Sequence, residues 1–137
     1  AYDNTILYTD YFLSEVINFL KSRSDQYDAS MLYLSDHGES LGENNLYLHG
    51  VPYMLAPKEQ TEVPFIFWMD DGFANRFSIN KSCVDGKRKR HFSHDNLFDS
   101  MLGLLDVQTD AYRPEMDIFS SCRSVNKAST IAATSHE

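Results

Sequence analysis

Apolar residues recur every three or four positions near the start of this chain, a spacing that predicts an amphipathic helix. Asp3 or Asn4 can cap its first turn, and the helix is expected to end near Ser22. The predicted buried stripe consists of Leu13, Val16, Ile17 and Leu20. The aromatic residues expected to widen that apolar face are Tyr8, Tyr11, Phe12 and Phe19.

Two continuous apolar runs follow, and each is short enough to be a buried strand. The first is Met31–Leu34 and the second is Val63–Met69, in which Pro64 lies at the start, where a missing donor does least harm. Phe73–Ile79 could form a short helix. A helix that leads directly into a strand is typical of parallel sheets, so the expected fold class is α/β.

A further helix is predicted to begin at Ser93, which can cap it, with Asp95 in its first turn. Its expected buried stripe is Leu97, Met101, Leu104 and Leu105. His94 is interpreted as a structural residue of this cap.

Between the two apolar runs lies a polar loop with two histidines. Asp36 and His37 come directly after the first strand, where open α/β sheets place their chemistry. A carboxylate and an imidazole are good ligands for Zn²⁺, and Gly38 permits a sharp turn beside them. His49 adds a second imidazole at the end of the loop. The alternative is that Asp36 and His37 form only a hydrogen-bonded turn.

Bulk composition narrows the class of protein. The 137 residues are one domain's worth of chain or less, and 42% hydrophobic residues are enough for a core. A net charge of -8 argues against a nucleic-acid partner, although a bound metal would still let an acidic chain bind a phosphate. No apolar run approaches the roughly 20 residues of a transmembrane helix.

Three features remain open on the sequence alone. Cys83 and Cys122 could be bonded to each other or to residues outside this chain. The basic run 87–90 is interpreted as a solvated loop, the alternative being a patch that binds phosphates or lipid headgroups. Residues 124–137 are small, polar and aperiodic, which predicts a disordered tail that includes an inert His136.

The loop belongs to a longer string, YLSDHGESLGENNLYLHGVPYMLAPKEQTEVPFIFW. This string resembles the signature of the bacterial phosphoethanolamine transferases, which modify lipid A and include the colistin-resistance proteins. They are members of the alkaline phosphatase/sulfatase superfamily. The match is carried by residues 35–43, 47–50 and 56–57, then by Gln60, Val63-Pro64 and Trp68, and the similarity extends over about residues 2–123.

The resemblance implies a fold, a reaction and a place in the cell. The fold would be a mixed, mostly parallel sheet sandwiched by helices, of which residues 1–123 would form the C-terminal part. The reaction would be zinc-dependent transfer of phosphoethanolamine from phosphatidylethanolamine to a lipid A phosphate through a covalent threonine intermediate. It would take place at the periplasmic face of the bacterial inner membrane, where disulfides are usual.

The resemblance also implies roles for four residues of the loop. Asp36 and His37 match the family's Asp and His ligands to Zn²⁺. His49 matches a histidine that faces the substrate phosphate, so it is the expected catalytic residue; it could hold a phosphoryl oxygen, protonate the leaving group or bind a second Zn²⁺. Glu39 could orient a ligand, bind a further metal or contact substrate. A purely structural His49 is the alternative, and Glu43 is interpreted as a solvated or loop-stabilising charge.

The family's threonine nucleophile and its glutamate ligand have no matched residue here. We therefore expect the chain to be a fragment that is inactive alone, with self-association as one expected consequence. The competing functions are another activity of the superfamily, such as that of a sulfatase, a phosphodiesterase or a phosphoglycerol transferase, and a catalytically inactive fragment.

Overall fold

A computed structural model describes residues 2–124, which fall into two compact units divided between Met69 and Asp70. The predicted tail lies outside the described residues apart from Ser124. None of the helices in the described range is both long and apolar enough to cross a membrane.

The first unit begins with the predicted helix, α1 (Tyr2–Lys21). Its expected stripe faces inward, since Leu13 is buried and Val16, Ile17 and Leu20 are half-buried. The aromatic residues do not widen this face, and each is at least 55% exposed: Tyr8, Tyr11, Phe12 and Phe19. At about 100° per residue they lie about 90–170° around the helix from the stripe, so that prediction is wrong.

Both apolar runs form strands, β1 (Ser30–Leu34) and β4 (Phe65–Met69). They pair antiparallel, with Ser30 opposite Met69 and Leu34 opposite Phe65. This pair therefore departs from the mostly parallel arrangement expected for the complete domain. Pro64 comes immediately before β4, which begins two residues later than predicted.

The segment between these strands contains a small hairpin and a short helix. Strands β2 (Ser40–Leu41) and β3 (Tyr47–Leu48) pair antiparallel around a 3₁₀ turn at Glu43–Asn45. Helix α2 (Lys58–Thr61) follows and leads into β4. Buried Gln60 donates from Nε2 to the hydroxyl of buried Ser40 at 2.8 Å, which ties α2 to the hairpin.

The second unit is helical. It contains α3 (Asp71–Arg76), α4 (Lys81–Asp85), α5 (Asp95–Leu104) and a 3₁₀ turn at Ser120–Cys122. Asp70 caps α3 by accepting from the Phe73 N–H at 2.6 Å, and Asn80 caps α4 by accepting from the Cys83 N–H at 2.9 Å. The apolar core of this unit comprises Phe73, Ala74, Ile79, Leu104, Ile118, Phe119 and Cys122.

Helix α5 buries a face that only partly matches the predicted stripe: Leu104 is buried as predicted and Leu97 is half-buried. Its buried residues are Asp99, Ser100, Gly103 and Leu104, whereas Met101 and Leu105 are exposed. The buried face is polar because its groups are hydrogen-bonded: Asp99 accepts from the backbone N–H and guanidinium of Arg113, at 2.7 and 2.9 Å. The hydroxyl of Ser100 accepts from the Ile118 N–H at 2.9 Å.

The start of α5 also differs from the prediction. His94, not Ser93, occupies the cap position, and its side chain makes no capping bond. The Ser93 hydroxyl instead donates to the Asp95 carboxylate at 3.2 Å, while its N–H donates to Asn96 Oδ1 at 3.0 Å.

The two cysteines are bonded to each other, which answers a question that the sequence left open. The disulfide Cys83–Cys122 joins α4 to the 3₁₀ turn, with the two Cα atoms 5.5 Å apart. Beside it, the Lys87 ammonium donates to the Ile118 carbonyl at 2.6 Å and to the Ser121 hydroxyl at 2.8 Å. The prediction of a solvated loop is therefore wrong for Lys87. Burial lowers the pKa of its ammonium group.

Arg123 holds the end of the described chain to α5. Its guanidinium donates to the Gly103 carbonyl, to the buried carboxylate of Asp117 and to the Tyr112 hydroxyl. Tyr112 in turn donates to Asp117 at 2.7 Å, and burial is the largest of the effects that raise its pKa. An alanine at position 103 would place its Cβ against both Asp117 and Arg123.

We expect Gly103→Ala to destabilise the chain by about 2–4 kcal/mol, because either the buried ion pair or the helix must move. The matched control is Gly86→Ala, whose Cβ would meet only carbonyl oxygens at 3.4 and 3.5 Å, in ordinary contact. Chemical unfolding of both variants measures the difference between their free energies of unfolding. Equal stability of the two would contradict the described packing around Gly103.

Candidate metal and phosphate site

The polar loop is held in place by one backbone contact with α2. The Gly38 N–H donates to the Gln60 carbonyl at 3.0 Å, just beyond the β1–β4 ladder. A Cβ at position 38 would overlap the Glu59 carbonyl oxygen, so only glycine fits this approach. The residues on either side of Gly38 thereby receive fixed positions.

The imidazole of His37 is oriented by its own loop. Its Nδ1 lies 3.0 Å from the Gly38 carbonyl oxygen, which can only accept, so Nδ1 carries the proton. In the neutral imidazole Nε2 then keeps its lone pair, the form that binds a metal. Ser35 supports the turn by donating from its hydroxyl to the His37 carbonyl at 2.8 Å.

The hairpin brings His49 back to His37. Their rings lie 3.9 Å apart between centroids, and the Nδ1 of His49 lies 2.5 Å from a Glu39 carboxylate oxygen. The side chain of Glu39 is 23% exposed, whereas that of His49 is 51% exposed. A carboxylate bonded to one imidazole nitrogen fixes the ring and leaves the other nitrogen available.

Sharp turns give His49 this position. Leu48 has a φ of 65°, in the left-handed region that is unfavourable for a branched side chain, and Gly50 has a φ of 104°. Asn44 and Asn45, at 52° and 61°, turn the chain within the hairpin. Glu43 accepts from the Leu41 N–H at 2.6 Å, so its interpretation as a loop-stabilising charge agrees with the contacts. Bonds from its own N–H and from that of Leu41 lower the pKa of Glu43.

Within the described residues, His37, Glu39 and His49 form a group whose ligand atoms all lie within 4.8 Å of one another. Asp36 is outside this group. Its side chain is 90% exposed, accepts from the His37 N–H at 3.1 Å, and has an oxygen 3.9 Å from His37 Nε2. The structure therefore brings three of the four predicted site residues together, and ligation by Asp36 stays a prediction.

Sequence reasoning missed the part played by Gln60. Its carbonyl anchors Gly38 and its side chain holds Ser40, on either side of Glu39. One signal was available in the sequence. Gln60 is a polar residue within the matched string, and no catalytic or metal-binding role had been assigned to it.

Comparison with known proteins shows the family to which this chain belongs. Residues 1–107 match the sulfatase family, and the chain belongs to that family. The predicted resemblance to phosphoethanolamine transferases is confirmed too. The chain is 44% identical over 128 residues to phosphoethanolamine transferase EptA of Escherichia coli (strain K12), a match that covers 93% of this chain and 23% of that protein. It is 46% identical over 110 residues to phosphatidylethanolamine transferase Mcr-1 of Escherichia coli, covering 80% of this chain and 19% of that protein.

Solved structures agree and confirm the expected fold class. The soluble domain of lipooligosaccharide phosphoethanolamine transferase A from Neisseria meningitidis superposes with a TM-score of 0.85 at 43% identity, over 90% of this chain and 37% of that one. The C-terminal periplasmic domain of phosphoethanolamine transferase EptC from Campylobacter jejuni gives a TM-score of 0.76 at 46% identity, over 91% and 38%. The chain thus spans about a quarter or less of the curated relatives cited here.

We expect Gly38→Ala to destabilise the chain by about 2–4 kcal/mol, since its Cβ would displace the backbone of α2. Gly50→Ala is the matched control, because its Cβ would meet nothing within 4 Å and only the positive φ opposes it. That strain costs about 1–2 kcal/mol. Thermal unfolding ranks the two variants, and a Gly50→Ala chain less stable than Gly38→Ala would contradict the docking of the loop on α2.

Proposed function

We propose that this chain supplies the metal- and phosphate-binding loop of a zinc-dependent phosphoethanolamine transferase. The observation that carries the proposal is the convergence of His37, Glu39 and His49 in a chain 43–46% identical to such transferases. The proposed donor is phosphatidylethanolamine, in keeping with the name of the Mcr-1 relative.

The proposed acceptor is a lipid A phosphate. A further relative, 38% identical over 111 residues, is named Kdo(2)-lipid A phosphoethanolamine 7''-transferase in Escherichia coli (strain K12). The proposed location is the periplasmic face of the inner membrane. Its support is that the matched structures are a periplasmic domain and an integral membrane protein.

The donor set fits Zn²⁺. Two imidazoles and a carboxylate are ordinary zinc ligands, and at bond lengths of about 2.0–2.2 Å the ligands of a tetrahedral site lie about 3.4 Å apart. The three ligand atoms lie within 4.8 Å of one another, so binding would require them to move closer together by side-chain rotation. Bound there, zinc would lower the pKa of a coordinated hydroxyl and offset the charge of a phosphodiester.

The protein's own groups would divide the remaining tasks. His37, with Nδ1 bonded to the Gly38 carbonyl, would present Nε2 as a ligand, and Asp36 beside it would add a carboxylate. His49, oriented by Glu39, would either be the second imidazole ligand or, when not bound to the metal, hold a phosphoryl oxygen or protonate the leaving alkoxide. The proposed nucleophile is a threonine that none of the threonines in this chain matches. Its oxygen would displace diacylglycerol from the donor and hold phosphoethanolamine until an oxygen of the lipid A phosphate displaces it in turn.

Zinc binding by this chain tests the metal assignment. Calorimetry is expected to show one equivalent of Zn²⁺, with affinity at least about a hundredfold lower in the His37→Ala, His49→Ala double variant. His91→Ala is the control, because His91 lies outside the group. An unchanged affinity in the double variant, or no binding by the original chain, would contradict the assignment. Asp36→Ala separately reports whether that carboxylate is a ligand.

Transfer is tested in a chimera, in which residues of this chain replace the 128 matched residues of EptA from Escherichia coli (strain K12). With fluorescent phosphatidylethanolamine and lipid A, the chimera is expected to transfer phosphoethanolamine, and His49→Ala to slow the transfer by about 10²–10⁴-fold. His91→Ala should leave the rate unchanged. Hydrolysis of the donor without transfer would favour another activity of the superfamily, and a folded chimera with neither activity would favour an inactive fragment.

A further inference from the structure

An exposed apolar tip follows the candidate site along the chain. It consists of Tyr53, Met54 and Leu55, which are 85%, 94% and 72% exposed. These are the most exposed large apolar side chains in the described range. We call this segment the apolar tip.

The apolar tip lies within a stretch that carries no acidic or basic side chain. From Asn44 to Pro57 there is no Asp, Glu, Lys or Arg, although 23% of the whole chain is charged. The stretch is bounded by Glu43 on one side and Lys58 on the other. In a chain with a net charge of -8, such a stretch can approach an anionic surface without local repulsion.

Part of the backbone of the apolar tip is hydrogen-bonded within its own turn. The Leu55 N–H donates to the Pro52 carbonyl at 2.7 Å, and the Ala56 N–H donates to the Tyr53 carbonyl at 3.3 Å. Pro52 and Pro57 have no N–H to satisfy. These paired or absent donors lower the cost of placing the turn in lipid, while the N–H groups of Tyr53 and Met54 suit the depth of the headgroups, where water can still bond them.

The apolar tip is also close to the site along the chain. His49 is four residues before Tyr53, and Tyr47 and Leu48 on strand β3 are likewise 69% and 68% exposed. The headgroup of a lipid that stays in the bilayer can reach His49 only if the candidate site lies at the level of the headgroups. Tyrosine rings are suited to that depth because one end is apolar and the other polar.

We propose that the apolar tip inserts into the surface of a phospholipid bilayer and holds the candidate site at the level of the headgroups. The choice of a bilayer as the occupant rests on the proposed function, whose donor is a membrane lipid. A second copy of the chain, or another protein segment, would cover the same side chains but would not require the charge-free stretch or its closeness to His49 along the chain.

Vesicle binding by the full chain tests this inference. Sedimentation with vesicles of phosphatidylethanolamine and phosphatidylglycerol is expected to show binding that persists when the salt concentration is raised. Replacing the tip by Tyr53→Gln, Met54→Gln and Leu55→Gln should weaken this binding at least about tenfold. The matched control is Leu7→Gln, Tyr8→Gln and Tyr11→Gln on α1, where the side chains are 66%, 70% and 60% exposed. This control should bind as the original chain does.

Depth is measured separately with brominated lipids, whose bromine atoms quench tryptophan within the acyl region. A Met54→Trp chain should be quenched more than a Tyr8→Trp chain. The inference is overturned if the original chain does not bind vesicles, or if both triple variants lose binding equally. It is also overturned if the tip variant changes only the association of chains with one another in sedimentation velocity.

These measurements involve no turnover, so the two proposals fail separately. Vesicle binding through the tip by a chain whose chimera transfers nothing would refute the proposed function and support the tip as a docking surface. Transfer by the chimera, together with vesicle binding that the tip substitutions do not weaken, would support the proposed function and refute the role of the apolar tip.

Discussion

The candidate site depends on a single close approach of two backbone segments. Gly38 lies against the turn at Glu59 and Gln60, where a side chain would collide with a carbonyl oxygen. That contact lies beyond the end of the β1–β4 pairing at Leu34 and Phe65, and the hairpin begins two residues after it at Ser40. Two histidines that are twelve positions apart can consequently stack at 3.9 Å. The position of the loop therefore requires that residue 38 have no Cβ atom.

The second unit is organised by a different constraint, the pairing of buried carboxylates. Asp99 and Asp117 have fully buried side chains, and each is matched by an arginine and by backbone or hydroxyl donors. Within the described residues no buried side-chain polar atom lacks a partner. Because an unpaired buried carboxylate is costly, these networks define where the segment from Tyr112 to Arg123 can lie on α5. Packing of apolar side chains alone would leave that position less determined.

The structural features that were predicted correctly are those that depend on a local pattern of residues in the sequence. The inward stripe of α1, both strands of the pair and the three converging loop residues followed from periodicity, from apolar runs and from a matched string. The antiparallel pairing of β1 and β4 is a long-range property that neither run could encode by itself. The exposed aromatics of α1 were misassigned because a wide apolar set on a helix does not say which part faces inward.

The errors in the second unit have a common physical origin. The buried face of α5 is polar, so a search for apolar spacing selects Met101 and Leu105, which are exposed. Lys87 looked like part of a solvated basic run because its partners, Ile118 and Ser121, are more than thirty positions away. In each case a hydrogen bond between distant residues outweighs a local preference, and no window of sequence contains both partners.

The disulfide also changes what a break in the chain would mean. The basic residues 88–90 are exposed and are of the kind that proteases specific for lysine and arginine cut, and they lie between Cys83 and Cys122. A nick there would leave the two pieces covalently joined, with α4 still tied to the turn at Ser120–Cys122. The backbone of the second unit could therefore be cleaved while its two pieces stay attached to each other. The pieces would separate by mass only after the disulfide is reduced.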